Sequence, residues 1–171
     1  MELDERIMII GSGGSGKSTL ARALGHSTGL PVIHLDAYYW QPGWVPTPED
    51  EWRGKVKELA SQPRWIIDGN FASTMEIRLS NADRVVWLDY NRYVCLYRAL
   101  RRQVAGPAAR PDMADGCPEH FDIQFLRWIW RFPTTDRPAI EELLALYPSV
   151  TVSRLHSRSL SETRKLILEL N

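Results

Sequence analysis

The chain has few of the features that would place it outside the ordinary globular domains. It carries two cysteines in 171 residues, Cys95 and Cys117, with no Cys-x-x-Cys spacing and no histidine-rich partner segment. That excludes a disulfide scaffold and a zinc ribbon and leaves two reduced thiols. It has no apolar stretch approaching the roughly 20 residues that span a bilayer. The N-terminus, Met1-Glu2-Leu3-Asp4-Glu5, is acidic and unlike a signal peptide, so a cytoplasmic location without membrane attachment is expected. It has no charge excess, with 21 basic and 21 acidic residues, so no global field favours nucleic acid or an anionic membrane. Internal repeats and low-complexity tracts are also absent. A chain of this length buries roughly 70% of its unfolded surface without staples, so one domain over residues 1–171 is expected.

What is present begins at Gly11. Gly11-Ser12-Gly13-Gly14-Ser15-Gly16-Lys17-Ser18 follows the apolar run Ile7–Ile10 and spells the Gly-x-x-x-x-Gly-Lys-Ser/Thr signature of a P-loop. Each residue type is needed where it stands. Glycines let the backbone N–H groups converge on phosphate oxygens. Lys17 reaches the outer phosphates as a point charge, and the Ser18 hydroxyl can complete the shell of a Mg²⁺ ion that bridges them. A helix starting at Ser18, with Thr19 in its first turn, turns its positive dipole end to the same anion. The spacing therefore predicts a nucleoside triphosphate, ATP or GTP, bound with Mg²⁺.

Short continuous apolar runs recur at Ile7–Ile10, Pro31–Leu35, Trp65–Ile67, Val85–Leu88 and Val150–Val152. Runs that do not alternate suit strands buried on both faces. Helical patterns lie between and after them, at Thr19–Ser27, Pro48–Ser61, Ser73–Leu79, Asn91–Val104, Pro118–Phe132, Pro138–Tyr147 and Leu160–Leu170. The alternation predicts an α/β three-layer sandwich around a parallel sheet, with ligands at the carboxyl ends of the strands.

Those ends carry carboxylates. The second run closes on His34-Leu35-Asp36 and the third on Asp68-Gly69-Asn70. Asp68 is placed to tune the metal shell, and Asp36 to take or orient the proton of an acceptor hydroxyl. A turn or N-cap aspartate is the alternative for each. His34 reads as a core histidine, and Asp89 is a weaker candidate at the end of the fourth run.

From Asn91 to Arg110 the chain has Arg92, Arg98, Arg101, Arg102 and Arg110 but no Asp, Glu or Lys. Arg98 and Arg102 share one side of a helix, and guanidinium groups can stack on a base or hold phosphate bidentately. The stretch 106–116 that follows is small and rich in proline and glycine. We read residues about 98–118 as a lid that closes over the transferring phosphate; a solvated helix and a basic patch for nucleic acid remain as alternatives. Tyr38-Tyr39-Trp40-Gln41-Pro42-Gly43-Trp44 offers stacking surfaces to an acceptor, or caps the core. Arg127, Arg131 and Arg137 are optional phosphate contacts.

These residues resemble the adenylate-kinase-like branch of P-loop proteins. More closely, the stretch Ile9–Ala21 resembles the bacterial family labelled DNA topology modulation proteins. His34-Leu35-Asp36, Ile66–Asn70, Arg110–Glu119 and Trp128-Ile129-Trp130 extend that likeness over nearly the whole chain. The resemblance implies a five-stranded sheet in the order 2-3-1-4-5. It also implies that Arg98 packs on the base, that Arg102 meets phosphate, and that Arg110 lies beside the acceptor phosphates. Where adenylate kinases carry Asp-Gly-Phe-Pro-Arg, this chain has Asp68-Gly69-Asn70-Phe71-Ala72. The arginine that grips the acceptor monophosphate is missing there; Arg78 is a candidate substitute, or else pairs with Glu76 or Asp83. A kinase acting on a small nucleotide-like acceptor is expected, with Lys17, Asp36, Asp68, Arg102 and Arg110 at the reacting atoms. The alternative is a regulatory, topology-modulating P-loop protein with slow hydrolysis. The acceptor, the base preference and the oligomeric state are not written in the sequence.

Overall fold

In the computed structural model, which describes residues 4–105, 112–118, 120–157 and 166, the five apolar runs become the five parallel strands of one sheet. The first strand, β1 (Arg6–Gly11), runs into the P-loop and α1 (Lys17–Thr28). Next come β2 (Val32–His34), a short helix α2 (Leu35–Tyr39), and a small antiparallel hairpin of β3 (Trp40–Gln41) and β4 (Val45–Pro46). The chain continues through α3 (Glu49–Ala60), β5 (Trp65–Asp68), a 3-10 turn over Ala72–Thr74 and α4 (Met75–Leu79). It then passes through β6 (Arg84–Leu88), α5 (Arg92–Val104), α6 (Ile123–Ala145) and β7 (Thr151–Leu155). The sheet order is β2-β5-β1-β6-β7, the expected 2-3-1-4-5 when its strands alone are counted.

Both faces of β1 are covered, which is why its apolar run is continuous. Ile7 and Ile9 pack with Leu20, Ala21 and Leu24 of α1, while Met8 and Ile10 join Trp52, Val56, Met75, Phe132 and Ile140 on the opposite face. The first face also holds Leu166; the rest of the helix expected at Leu160–Leu170 lies outside the described residues. Cys95 and Cys117 are buried free thiols. Among the described residues no helix is long and apolar enough to cross a membrane.

One difference from expectation concerns the prolines. The patterns at Pro118–Phe132 and Pro138–Tyr147 are a single helix, α6, which contains both Pro133 and Pro138. Each proline removes one helical hydrogen bond. The buried stripe of Ile129, Phe132 and Ile140 runs past both, and its packing outweighs the loss. The helix starts at Ile123 because the Asp122 carboxylate accepts from the N–H groups of Gln124 and Phe125. Asp36 is likewise not at a strand end, since it lies in the first turn of α2.

Candidate active site

The P-loop is shaped by what presses on it. Gly14 has φ +74°, and a Cβ there would come within 2.3 Å of the Cys95 carbonyl of α5. A Cβ on Gly13 would come within 2.6 Å of the Phe125 ring of α6. Only glycine lets these two helices close on the loop. Gly16, also left-handed, caps α1, which therefore begins at Lys17, one residue earlier than expected.

Lys17 folds back along the loop, where Nζ donates to the carbonyls of Gly11 at 2.9 Å and Ser12 at 3.1 Å. Burial lowers its pKa, and the nearby carboxylates of Asp36 and Asp68 oppose that shift. The Ser18 hydroxyl donates to Asp68 Oδ2 at 2.8 Å. Asp68 is 4% exposed, and its other oxygen, Oδ1, bonds His34 Nδ1. Strand register accounts for that contact, because the parallel pairing of β2 with β5 sets His34 opposite Asp68. The sequence reading placed His34 in the core. No local signal in the sequence finds that partner, since aligning the ends of the two apolar runs would set Leu35 and not Ile33 opposite Ile67.

The loop after β5 is tied to the P-loop. Asn70 Nδ2 donates to the Gly11 carbonyl at 2.8 Å, and Asn70 Oδ1 accepts from the Gly11 N–H at 3.0 Å. Arg78 is fully buried and holds this loop from behind. It donates to the carbonyls of Gly69 at 2.7 Å, of Phe71 at 3.1 Å, and of Asn70. Burial brings its guanidinium pKa down to about 9, against the pull of Asp68, so it stays charged at neutral pH. It pairs with neither Glu76 nor Asp83, which are taken by Arg53 and Arg6.

Two arginines of α5 meet the P-loop. Arg98 reaches the Ser15 carbonyl at 3.5 Å and lies over the Tyr90 ring. Arg102 lies over the Phe125 ring and near enough to Lys17 to bear on its charge. Arg92 instead donates to the Trp130 carbonyl and covers its indole, and Arg101 is exposed. Arg110 lies outside the described residues. Thr19 is exposed on the first turn of α1. Arg127 and Arg131 line an open groove of about 490 Å³ along α6, together with Gln124, Trp128 and Thr135. Asp89 sits in an ion cluster with Arg137 at 2.6 Å and Arg154 at 2.8 Å, which ties α6 and β7 to the end of β6.

The aromatic segment divides. Tyr39 packs its ring on Trp40, Trp52 and Phe71, against the core. Trp44 turns to residues 112–118, where its Nε1 donates to the Pro118 carbonyl at 3.1 Å. Gly43 N–H donates to Gly116 O at 2.9 Å, and the Cys117 thiol to Gln41 O at 3.2 Å. Residues 112–118 are thus strapped to the β3–β4 hairpin, which continues directly from the helix bearing Asp36. Arg22 of α1 adds an ion pair to Asp112 at 3.9 Å.

Among the described residues no group of three or more ligating side chains could hold a metal unaided. A Ser18 hydroxyl and an Asp68 carboxylate in contact are hard oxygen donors, the set that suits Mg²⁺ when nucleotide phosphates supply the remaining ligands.

No family model matches the chain. It is 32% identical over 130 residues to the uncharacterized protein YqaC of Bacillus subtilis (strain 168), covering 74% of this chain and 71% of YqaC. Among solved structures it is similar to a gluconokinase from Sinorhizobium meliloti 1021, with a TM-score of 0.57, 17% identity, and coverage of 99% of this chain and 93% of that one. It is also similar to a shikimate kinase from Bacteroides thetaiotaomicron, with a TM-score of 0.54, 18% identity, and coverage of 98% and 96%. A shikimate kinase from Aquifex aeolicus vf5 gives 0.53, 17%, 96% and 95%. At these identities the likeness is one of fold.

Proposed function

We propose, from the premise that this chain belongs to the family of Bacillus subtilis YqaC and has the fold of P-loop kinases, that it transfers the γ-phosphoryl group of Mg·ATP or Mg·GTP to a small-molecule acceptor. The observation that carries this reading is the convergence of Lys17, Asp36, Asp68 and Arg102 on one P-loop. A loop that only bound nucleotide would need no second carboxylate within electrostatic reach of the lysine.

The roles follow from position. The 11–16 backbone and Lys17 hold the β- and γ-phosphates. Ser18 and Asp68 would hold Mg²⁺, which when bound neutralises the charge shared by those phosphates. Arg98 would pack on the base and Arg102 would balance charge developing on the phosphoryl group, roles supported by the contact of Arg98 with the Ser15 carbonyl and the effect of Arg102 on the charge of Lys17. The acceptor oxygen bonds to the γ-phosphorus as the bond to the β–γ bridging oxygen breaks; the diphosphate leaves, and the acceptor's proton passes to the Asp36 carboxylate. Arg110, on the lid segment, would complete the acceptor side. The acceptor is a small hydroxyl-bearing molecule, a nucleotide or nucleoside by the family resemblance, or a sugar-acid-like metabolite, the class that the gluconokinase and shikimate kinase neighbours support.

Lys17→Ala is expected to abolish triphosphate binding, and Asp36→Asn to leave ATP affinity nearly intact while removing transfer. An Asp36→Asn variant that lost ATP binding as fully as Lys17→Ala would defeat the acceptor role. Incubation with Mg·ATP and a pool of nucleosides, nucleotides and hydroxylated metabolites, followed by mass spectrometry for species that gain a phosphate, identifies the acceptor.

The regulatory, DNA-topology reading needs arginines free to meet a phosphate backbone. Arg92 is engaged with the Trp130 carbonyl and the net charge is zero, both of which favour the kinase. A steep fall of DNA affinity with salt, with a log–log slope of magnitude about 0.9 per phosphate neutralised, would reverse that preference.

A further inference from the structure

A buried carboxylate on a strand end can swing about two side-chain torsions, and as a metal ligand it is only as well placed as its partners make it. Asp68 has both oxygens held by side chains from different elements. Ser18 of α1 donates to Oδ2 at 2.8 Å, and His34 of β2 bonds Oδ1. His34 cannot drift, because the β2–β5 register fixes its Cα opposite that of Asp68 and its side chain is only 13% exposed. Direction matters as well. By donating its single proton to Asp68, the Ser18 hydroxyl keeps its lone pairs for a ligand on its far side. The order His34, Asp68, Ser18 is therefore a chain in which each member orients the next toward the P-loop.

We propose that His34 is the positioning residue of the Mg²⁺ site, fixing the Asp68 carboxylate through Nδ1 and, through Asp68, the Ser18 hydroxyl. This rests on the Mg·nucleotide reading above, to which it adds a residue that touches neither metal nor nucleotide. The charge on the imidazole is not part of the argument, since Nδ1 carries the proton that bonds the carboxylate in the neutral tautomer and in the cation alike. A neutral donor in the same place should serve.

The test is a Mg²⁺ titration of ATP affinity by calorimetry on the full chain, with an EDTA arm, for wild type, His34→Ala and His34→Asn. The asparagine amide puts an N–H where Nδ1–H stands. His34→Ala is expected to bind ATP in EDTA within about twofold of wild type while its Mg²⁺ midpoint rises about 10- to 100-fold, the usual loss when a partner of a metal ligand is removed. His34→Asn should recover most of that midpoint. A wild-type midpoint in His34→Ala would overturn the inference, and so would equal loss of EDTA affinity in both variants, which marks a merely structural histidine. Wild type that binds no ATP at all would instead overturn the kinase reading and this inference with it.

Discussion

Asn70 and Gly11 are joined by two hydrogen bonds, with the Asn70 amide giving its N–H to the Gly11 carbonyl and taking the Gly11 N–H on its own carbonyl. The contact spans 59 residues of sequence and fixes the first peptide of the P-loop against the loop that follows β5. An alanine at 70 removes both bonds, each worth about 1 kcal/mol, and is expected to weaken ATP binding about tenfold while lowering Tm by a few degrees. Asn70→Asp keeps the acceptor, loses the donor and sets a carboxylate against the Gly11 carbonyl beside the phosphate site, so its loss of affinity should be larger. Calorimetric titration with ATP ranks the two variants; equal affinity in Asn70→Ala and wild type would show that the P-loop holds its shape without the clamp.

Arg78 supports the same loop from the core. Its three carbonyl partners belong to consecutive residues, Gly69, Asn70 and Phe71, and they are spanned by the two amino groups of one planar fork, where a lysine offers its donors from a single nitrogen. Arg78→Lys is expected to destabilise the protein by about 2–3 kcal/mol, through buried carbonyls left without donors. Arg78→Leu should cost more. Urea unfolding with an unchanged m-value measures both, and a conservative result for lysine would mean that charge alone, without the fork, holds the loop.

This pair shows which parts of the site were legible. The P-loop and the five strands are local patterns, a spacing or a run of apolar residues, and the structure has them within three residues of where the sequence puts them; the strand order is not a local pattern and is what the resemblance to adenylate-kinase-like proteins implies. The departure after Asp68-Gly69 was equally visible, but its meaning was not. That Asn70 reaches back to Gly11, and that Arg78 turns inward and not toward an anion, depend on the path of the loop after β5, a strand that meets β1 only in the sheet. The partner of His34 was hidden for the same reason, although its reading as a satisfied, mostly buried histidine agrees with the structure. The two prolines of α6 misled in another way, because a local rule was outweighed by the burial of Ile129, Phe132 and Ile140 on a common face.

Trp44 has φ +64°, a left-handed conformation that costs a residue other than glycine about 1 kcal/mol or more. Its side chain offsets that cost by bonding the Pro118 carbonyl and setting its ring against Trp40 and His120. Trp44→Ala should therefore release the strap between the hairpin and residues 112–118, read as faster hydrogen exchange at the Gly43 amide, whose acceptor is Gly116. Trp44→Gly relieves the backbone strain as well and should exchange just as fast with a smaller loss of global stability. Because the hairpin continues from the helix of Asp36, both variants should also raise the KM for the acceptor more than that for ATP. Unchanged exchange at Gly43 in Trp44→Ala would place the strap elsewhere.

Lys17 gives the site a pH dependence with a definite sign. Burial lowers its pKa below 10.5 in the free protein, with Asp36 and Asp68 opposing. A bound triphosphate stabilises the ammonium and raises that pKa. Between the two values the complex holds more protons than the free protein, so binding takes up a proton and ATP affinity falls as pH rises through that window. The unfolded chain, with its lysine at the ordinary value, likewise binds more protons than the free fold there, so the stability of the free protein rises with pH across the same range. Affinity and stability should move in opposite directions. Calorimetry in two buffers of different ionisation heat measures the uptake directly. It should be present for wild type on the alkaline side and absent in Lys17→Arg, whose guanidinium stays protonated throughout, and wild type that took up no proton there would mean that Lys17 does not meet the phosphates.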